Sequence, residues 1–474
     1  MTADSGLIGM DAVKIVGLLH RGAISPLDLI DTLEQRIAAV EPAINALPTL
    51  CLDRARDHAR RLMEKPPGER GPLAGLPVPI KDLIPVAGVR TTFGSPVFAD
   101  FVPEESETLV LRIEGKGGIV YAKSNTPEFG AGGHTFNEVF GTTANPWNLS
   151  RSAGGSSGGA AAALASGTAW VAHGSDMAGS LRTPSVFCGV VGFRPGIGRV
   201  TSGPDPLPYS TLSTEGPMGR TVADTAMLLD AMVAWDPTSP FTTALSAEGF
   251  LGAARRPRRP RRAAFSLDLG VTVVDPRIAA VFNRAIATIA GAGIETVEAC
   301  PDFTGFDAAF HTLRAVSYAA GSGALLDEHR DKIKPEVVWN AEKGFRLTAA
   351  EIIGAERERG RLFHLVRRFM DDHDVLICPG AIVPAFPGTE RYGRECNGRV
   401  FETYIDWLAI TYALTLVSLP VIAIPCGVTE DGLPVGLQIA GRPGREAELI
   451  AFARYIEDAI GDWRPKDLPE YVVR

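Results

Sequence analysis

Three stretches of the sequence carry residues that suit acyl-transfer chemistry. Lys81 follows Gly75-Leu76-Pro77-Val78-Pro79-Ile80, so it is expected at the end of an apolar strand. A lone lysine in such a place is most often a surface residue with its head in water. Gly154-Gly155-Ser156-Ser157-Gly158-Gly159 runs straight into Ala160-Ala161-Ala162-Ala163-Leu164, the start of a buried helix. A Gly/Ser loop that opens a helix presents hydroxyls and backbone N–H groups. Gly174-Ser175-Asp176-Met177-Ala178-Gly179-Ser180-Leu181-Arg182 places Ser180 behind consecutive small residues, whose amides can converge on one oxyanion. An amide resists a neutral hydroxyl, so an attacking serine must lose its proton as it attacks. A lysine can take that proton if burial lowers its pKa. His173, in an apolar stretch just ahead of the loop, reads as a satisfied core histidine.

Other chemistries fit less well. The hexapeptide at 154–159 lacks the lysine of a phosphate-binding Walker loop. It does satisfy G-x-S-x-G, the nucleophile elbow, which needs an apolar strand directly before it. Asn145-Pro146-Trp147-Asn148-Leu149-Ser150-Arg151-Ser152 reads as loop instead. An esterase of that kind would pair Ser156 with a downstream histidine such as His311 or His364. No histidines pair at the i, i+4 spacing of a helical zinc site, and Asp372-His373-Asp374 reads as a solvated turn. No metal and no cofactor are expected.

The elements that must position these residues follow from composition and period. The 474 residues are 45% apolar, enough for a substantial core without staples. Six cysteines without a CxxC pair suggest reduced, mostly buried thiols in a cytoplasmic enzyme. A formal charge of −8 argues against life on a phosphate backbone. No secretory leader is visible, and Gly158 to Gly174, broken by Ser166, Thr168 and His173, reads as a buried core helix, short of a membrane span.

Residues 10–64 read as helices, with a capping box at Ser25-Pro26-Leu27-Asp28 and Ile24 stapling against Leu29. After Lys65-Pro66-Pro67-Gly68, short apolar runs alternate with helical patterns, the texture of an α/β architecture. Phe187 to Phe193 reads as a buried strand under the serine loop. Thr221 and Asp224 read as a helix cap. The arginines of 255–262 read as a solvated edge. Helices are expected over 275–292, 305–370 and 446–460, and strands at Val421–Ile424 and Val435–Ile439. This gives an N-terminal helical layer (1–70), a catalytic core (71–235), and a C-terminal part of the same α/β domain (236–474).

Taken in order, these segments resemble the amidase signature family. The resemblance runs through Gly75–Ser95, Ala122–Gly159, the serine-rich stretch to Gly198, Glu215–Met218 with Arg220–Asp224, and Asp431–Pro443. Each motif alone is weak; their order together is specific. The resemblance implies an amidase-signature fold, a mixed central β-sheet covered on both faces by helices. It also implies a Ser–cisSer–Lys triad of Ser180, Ser156 and Lys81, with a cis bond at Gly155–Ser156. The amides of Met177, Ala178, Gly179 and Ser180 would form the oxyanion hole. Gly130 would border the acyl pocket, and Ser157 would stand with the binding residues. Asp176 and Arg182 read as a structural pair. One departure is visible, because the family usually has glycine where Ala178 stands. If that position needs φ > 0, the methyl is strained; otherwise it narrows the pocket.

The loops around 126–140, 305–345 and 401–418 would set the substrate. They are rich in aromatic residues, including Phe129, Phe310, Tyr318, Trp339, Tyr404 and Trp407, most of which read as core. No pair of charged residues obviously awaits a glutamine zwitterion. The expected substrate is therefore a hydrophobic aryl or alkyl amide, with carbamates (urethanes) and esters as chemical neighbours. The glutaminase subunit of an amidotransferase is the other reading. The expected partner is a small-molecule amide or carbamate, with no nucleic acid and no membrane, and a homodimer is the assembly left open.

Overall fold

The computed structural model describes residues 5–203, 207–243 and 248–474. Its N-terminal layer is built from the helices Ala12–His20, Pro26–Ile44 and Leu52–Met63. Ser25 caps the second of these. Its hydroxyl accepts from Asp28 N at 3.2 Å, while the Asp28 carboxylate accepts from Ser25 N at 2.7 Å. Leu29, Leu33, Ile37, Val40 and Ile44 recur along the helix and are all buried. The purely helical expectation misses Thr49–Leu50, which pairs antiparallel with the strand Ile119–Ser124. Two residues carry no period, and their pairing partner lies far along the chain.

Pro77–Lys81 and Ile119–Ser124 pair in parallel, with Lys81 opposite Ser124. With Thr49–Leu50 they form a small three-stranded sheet of their own. All five residues of Pro77–Lys81 are buried, so Lys81 is carried into the interior by a strand with no solvent face.

The large sheet has eight strands. Their spatial order is Glu295–Glu298, Arg262–Phe265, Val375–Pro379, Pro434–Ala440, Val421–Val428, Val191–Arg194, Thr214–Gly219 and Val171–Asp176. Arg262–Phe265 runs parallel to both of its neighbours, and the other pairings are antiparallel. Side chains alternate between two cores at the period of a strand. Val375, Ile377, Ile422, Ile424, Leu437 and Ile439 enter one core with the helices Val222–Met232, Pro276–Gly291 and Glu446–Ile460. Leu376, Cys378, Val421 and Ala423 enter the other, with Phe306–Ser322, Ala349–Phe369 and Ala409–Leu416. Helices therefore cover both faces of a mixed sheet, the expected α/β fold.

Two local expectations change. Gly158–Gly174 is not one helix: Gly158–Ser166 is helical, Gly167 ends it at φ 75°, and the strand Val171–Asp176 follows. Phe187–Phe193 is not one strand. Thr183–Cys188 is a helix capped by Gly189 in the left-handed region, and only Val191–Arg194 is strand. In both, a glycine stops the helix and lets an apolar run change element. Thr221 caps Val222–Met232, its hydroxyl accepting from Asp224 N at 3.1 Å. Arg255–Arg259 is exposed, as a solvated edge would be. No helix among the described residues is long and apolar enough to cross a membrane.

Candidate active site

Two loops bring the serines to the lysine. The first lies between the short strand Asn148–Ser152 and the helix Gly158–Ser166, and its Gly155–Ser156 bond is cis. Asn148–Ser152 pairs with Ala144–Asn145 and bridges Pro387 through Arg151, outside the large sheet, so the apolar sheet strand that an elbow requires does not precede Ser156. His364 is exposed, and His311 lies 3.4 Å from Asp406 in a different cleft, so neither faces Ser156. The second loop leaves the edge strand Val171–Asp176 and carries Met177 to Ser180.

Lys81 is fully buried. Its Nζ lies 2.7 Å from Ser156 Oγ, 2.9 Å from Ser157 Oγ and 2.9 Å from Ser175 Oγ. Among the described residues no carboxylate lies within 4.0 Å of it. Burial lowers its pKa from the ordinary 10.5 to about 7, against the opposing pull of Glu215 and Asp176. A neutral amine has two N–H donors and one lone pair, so one of the three hydroxyls must donate to it. The Ser157 hydroxyl donates to Ser175 O at 3.2 Å, which leaves it to accept from Lys81. Ser156 is then free to hand a proton to the lone pair.

Ser156 and Ser180 line one pocket together with Gly130, Met177 and Ala178. The two hydroxyls face it without bonding to each other. Gly130 has φ 70°, and a side chain there would stand 3.4 Å from Ser156 Oγ. Ser157 does not line this pocket; it is wholly buried and holds Lys81.

The loop is held by a buried ion pair. Arg182 Nε reaches Asp176 Oδ2 at 3.0 Å and its Nη2 reaches Oδ1 at 2.9 Å. Arg182 also bonds Thr411 O, Gln438 Oε1 and Thr415 Oγ1. Burial alone would raise the Asp176 carboxyl, but Arg182 and Arg194 hold it well below the usual range. The same carboxylate accepts from Gly179 N at 3.0 Å and Leu181 N at 3.0 Å. This corrects the expected oxyanion hole, since the Gly179 amide is already committed. The amides of Met177, Ala178 and Ser180 have no acceptor among the described residues. Positive φ also belongs to Gly179, at 113°, where a side chain would collide with Thr411. Ala178 lies outside the left-handed region, so its methyl is unstrained and narrows the pocket.

His173 is satisfied. Its Nδ1 accepts from Lys81 N at 3.3 Å, which leaves Nε2 to donate to Glu215 Oε2 at 2.8 Å. Sequence reasoning missed two pocket residues. Ser175, the third hydroxyl on Lys81, stood unremarked beside Asp176. Arg314, buried and lining the pocket, carried the one available signal: a charge four residues from both Phe310 and Tyr318 on an apolar helix face.

A lysine buried on a small three-stranded sheet, among serine hydroxyls carried by loops beside a mixed α/β sheet, borders a largely apolar pocket, an arrangement suited to acyl-transfer chemistry. The chain matches the Amidase family over residues 28–450 and belongs to it. It is 35% identical to an acylamidase of Rhodococcus erythropolis over 98% of each chain. It is 33% identical to a glutamyl-tRNA(Gln) amidotransferase subunit of Synechococcus sp. (strain CC9605), over 93% of this chain and 94% of that one. Its fold is similar to that of a bacterial aryl acylamidase of the amidase signature family, with TM-score 0.88 and 27% identity over 95% and 96% of the two chains. It is also similar to 6-aminohexanoate cyclic dimer hydrolase, with TM-score 0.88 and 28% identity over 98% and 99%. The chain is thus an amidase-signature enzyme, a hydrolase of amide C–N bonds.

Proposed function

We propose that the chain is a stand-alone cytoplasmic amidase for hydrophobic aryl or alkyl amides, with Lys81 as base, Ser156 as relay and Ser180 as nucleophile. The observation that carries this reading is the Lys81 amine, buried among three hydroxyls with a pKa near neutrality. A base poised near the working pH combines the right protonation state with adequate basicity. Ser180 Oγ attacks the carbonyl carbon as its proton passes to Ser156 and the Ser156 proton passes to Lys81. The amides of Met177, Ala178 and Ser180 receive the developing oxyanion. Collapse expels the amine, protonated from Lys81 through Ser156, and leaves an acyl–Ser180 ester. Water, deprotonated by the same relay, then releases the acid.

Leu83, Phe129, Met177, Ile405 and Leu408 make most of the wall apolar, which favours aryl and alkyl groups over a free amino acid. Carbamates and esters present the same carbonyl geometry and are expected as slower or comparable substrates. The test is turnover of p-nitroanilides, anilides and aryl carbamates by the purified single chain, with Lys81→Ala beside it. Hydrolysis of glutamine alone, and only with partner chains present, would replace this reading by that of an amidotransferase component.

A further inference from the structure

We propose that Arg314 makes this pocket a receptor for amides that carry a carboxylate, so that a single anionic group on the substrate docks on its guanidinium. The inference rests on the amidase reading and narrows its substrate class.

Arg314 sits in the helix Phe306–Ser322, is 3% exposed, and lines the same pocket as Ser180. No residue lining that pocket is an Asp or a Glu, and no described carboxylate lies within ion-pair distance of Arg314. Its partners are neutral. Nη1 donates to Asn340 Oδ1, while Nη2 donates to Tyr404 Oη at 2.6 Å and to Tyr318 Oη at 3.3 Å. The Tyr318 and Tyr404 rings lie 4.5 and 5.3 Å from the guanidinium carbon. Nε is buried and has no partner among the described residues.

Counting donors and acceptors decides what this cluster can bind. Asn340 Nδ2 also donates to Tyr404 Oη, at 2.6 Å, so that phenol accepts twice and keeps its own proton to give. Tyr318 Oη accepts from Arg314 and likewise keeps a proton to give. Neither phenol has an acceptor among the described residues. The cluster is therefore a permanent positive charge with Nε and two phenol protons still to give, and it is complemented by a group that only accepts. A carboxylate matches the guanidinium in charge, and its oxygens can accept from Nε and from the Tyr318 hydroxyl. A neutral aryl or alkyl end would leave a buried charge uncompensated. A single cation also separates this site from one built for a zwitterion, which needs an anion beside it.

The carboxylate can come from either side of the scissile bond, and two ligand pairs distinguish the sources. Glutaric acid monoanilide against pentananilide places it on the acyl part. 4-Acetamidobenzoate against 4-acetamidotoluene places it on the amine. Binding is measured by calorimetry on the full chain bearing Ser180→Ala, alone and with Arg314→Gln added. The expected result is at least tenfold tighter binding of the carboxylate in one pair, abolished by Arg314→Gln while the neutral ligand changes less than threefold. Equal binding within both pairs, a preference that survives Arg314→Gln, or equal weakening of all four ligands overturns the proposal. Should Arg314→Gln not fold, Tyr318→Phe removes one pocket donor and must reduce the preference at least threefold; no reduction overturns it. Failure of the amidase reading shows separately, as absence of hydrolysis of all four by the unmutated chain while the binding preference persists.

Discussion

Lys81 and Arg314 are both buried beside one pocket, and neither has a carboxylate in reach. Lys81 lies behind Ser156, and burial brings it to a pKa of about 7, so it can meet its surroundings by giving up the proton. Arg314 cannot, because a guanidinium keeps its charge throughout the physiological range. Lys123 shows a third solution on the strand beside Lys81. It is equally buried, but Asp82 stands 3.6 Å away and Ile84 O accepts from its amine. Burial lowers Lys123 to about 8, with Asp82 opposing. Burial alone therefore does not define a base. What distinguishes Lys81 is burial among groups that can pass a proton and cannot hold a charge.

The largest expected effect breaks that relay. Lys81→Ala should lower kcat by roughly 10³-fold or more, the scale of losing a general base that acts with its nucleophile. Lys81→Arg should not restore activity, since its head group stays protonated. Ser180→Ala should abolish labelling by a fluorophosphonate, and mass spectrometry of the unmutated chain should map the label to a peptide containing Ser180. Adding Ser156→Ala to Lys81→Ala should cost little more. A label on Ser156, or losses that simply add, would contradict the roles assigned here.

Stability sharpens the contrast between the two lysines. Lys123→Met strands the Asp82 carboxylate in the interior and should destabilise the fold by roughly 3–5 kcal/mol. Lys81→Met strands no charge and should raise the melting temperature while removing activity. Between pH about 7 and 10.5 the unfolded chain holds a proton on Lys81 that the folded chain has lost. Native stability therefore rises with pH through that window, and the advantage of Lys81→Met should shrink across it. Thermal melts of the three proteins from pH 6 to 10 read both effects. A pH-independent difference would show that Lys81 is not neutral in the fold.

A smaller effect is the pH profile of the unmutated enzyme. With Lys81 as base, kcat/KM should climb up to tenfold per pH unit below about 7 and level off above it. An acid limb centred well below 6 would point to a carboxylate instead.

Parts of this were legible beforehand because they rest on local chemistry. The capping box at Ser25, the apolar run ending in Lys81, the strands Val421–Val428 and Pro434–Ala440, and the helix Glu446–Ile460 each announce themselves by period or cap. Lys81, Ser156 and Ser180 became legible together only when weak motifs were read in order, since spacing says nothing about which strand end faces which loop. What stayed hidden is tertiary. The Gly179 amide looks free in sequence until Asp176, fixed by Arg182, turns back to accept from it. Arg314 looks like an ordinary helix charge until Tyr404, from a distant segment, joins Tyr318 of its own helix in closing over it. The helical start of Phe187–Phe193, expected as strand throughout, has the same origin, because a run apolar on every side suits either element when both are buried.

The smallest predicted effect concerns Ala178, and it tests whether the loop is tuned by shape or by backbone freedom. The left-handed conformation in this loop belongs to Gly179, so glycine at 178 relieves no strain. The 178 carbonyl accepts from Thr411 Oγ1 at 2.5 Å, which pins the backbone whichever residue is present. Ala178→Gly should therefore leave the melting temperature within about a degree or two, in line with a substitution that removes no cap and opens no large cavity. It deletes a methyl from the pocket wall beside Ser180. A fully enclosed methylene in an apolar pocket changes discrimination by roughly 10- to 200-fold, and a single wall methyl by less. About threefold is expected here, in favour of longer or bulkier acyl groups. The measurement is kcat/KM across p-nitroanilides from acetyl to hexanoyl and benzoyl. A shift in the ranking with constant stability supports a wall of fixed shape. A uniform fall across the series would instead mean that the methyl holds the oxyanion amides in place, and that Ala178 belongs with the catalytic loop and not with the substrate pocket.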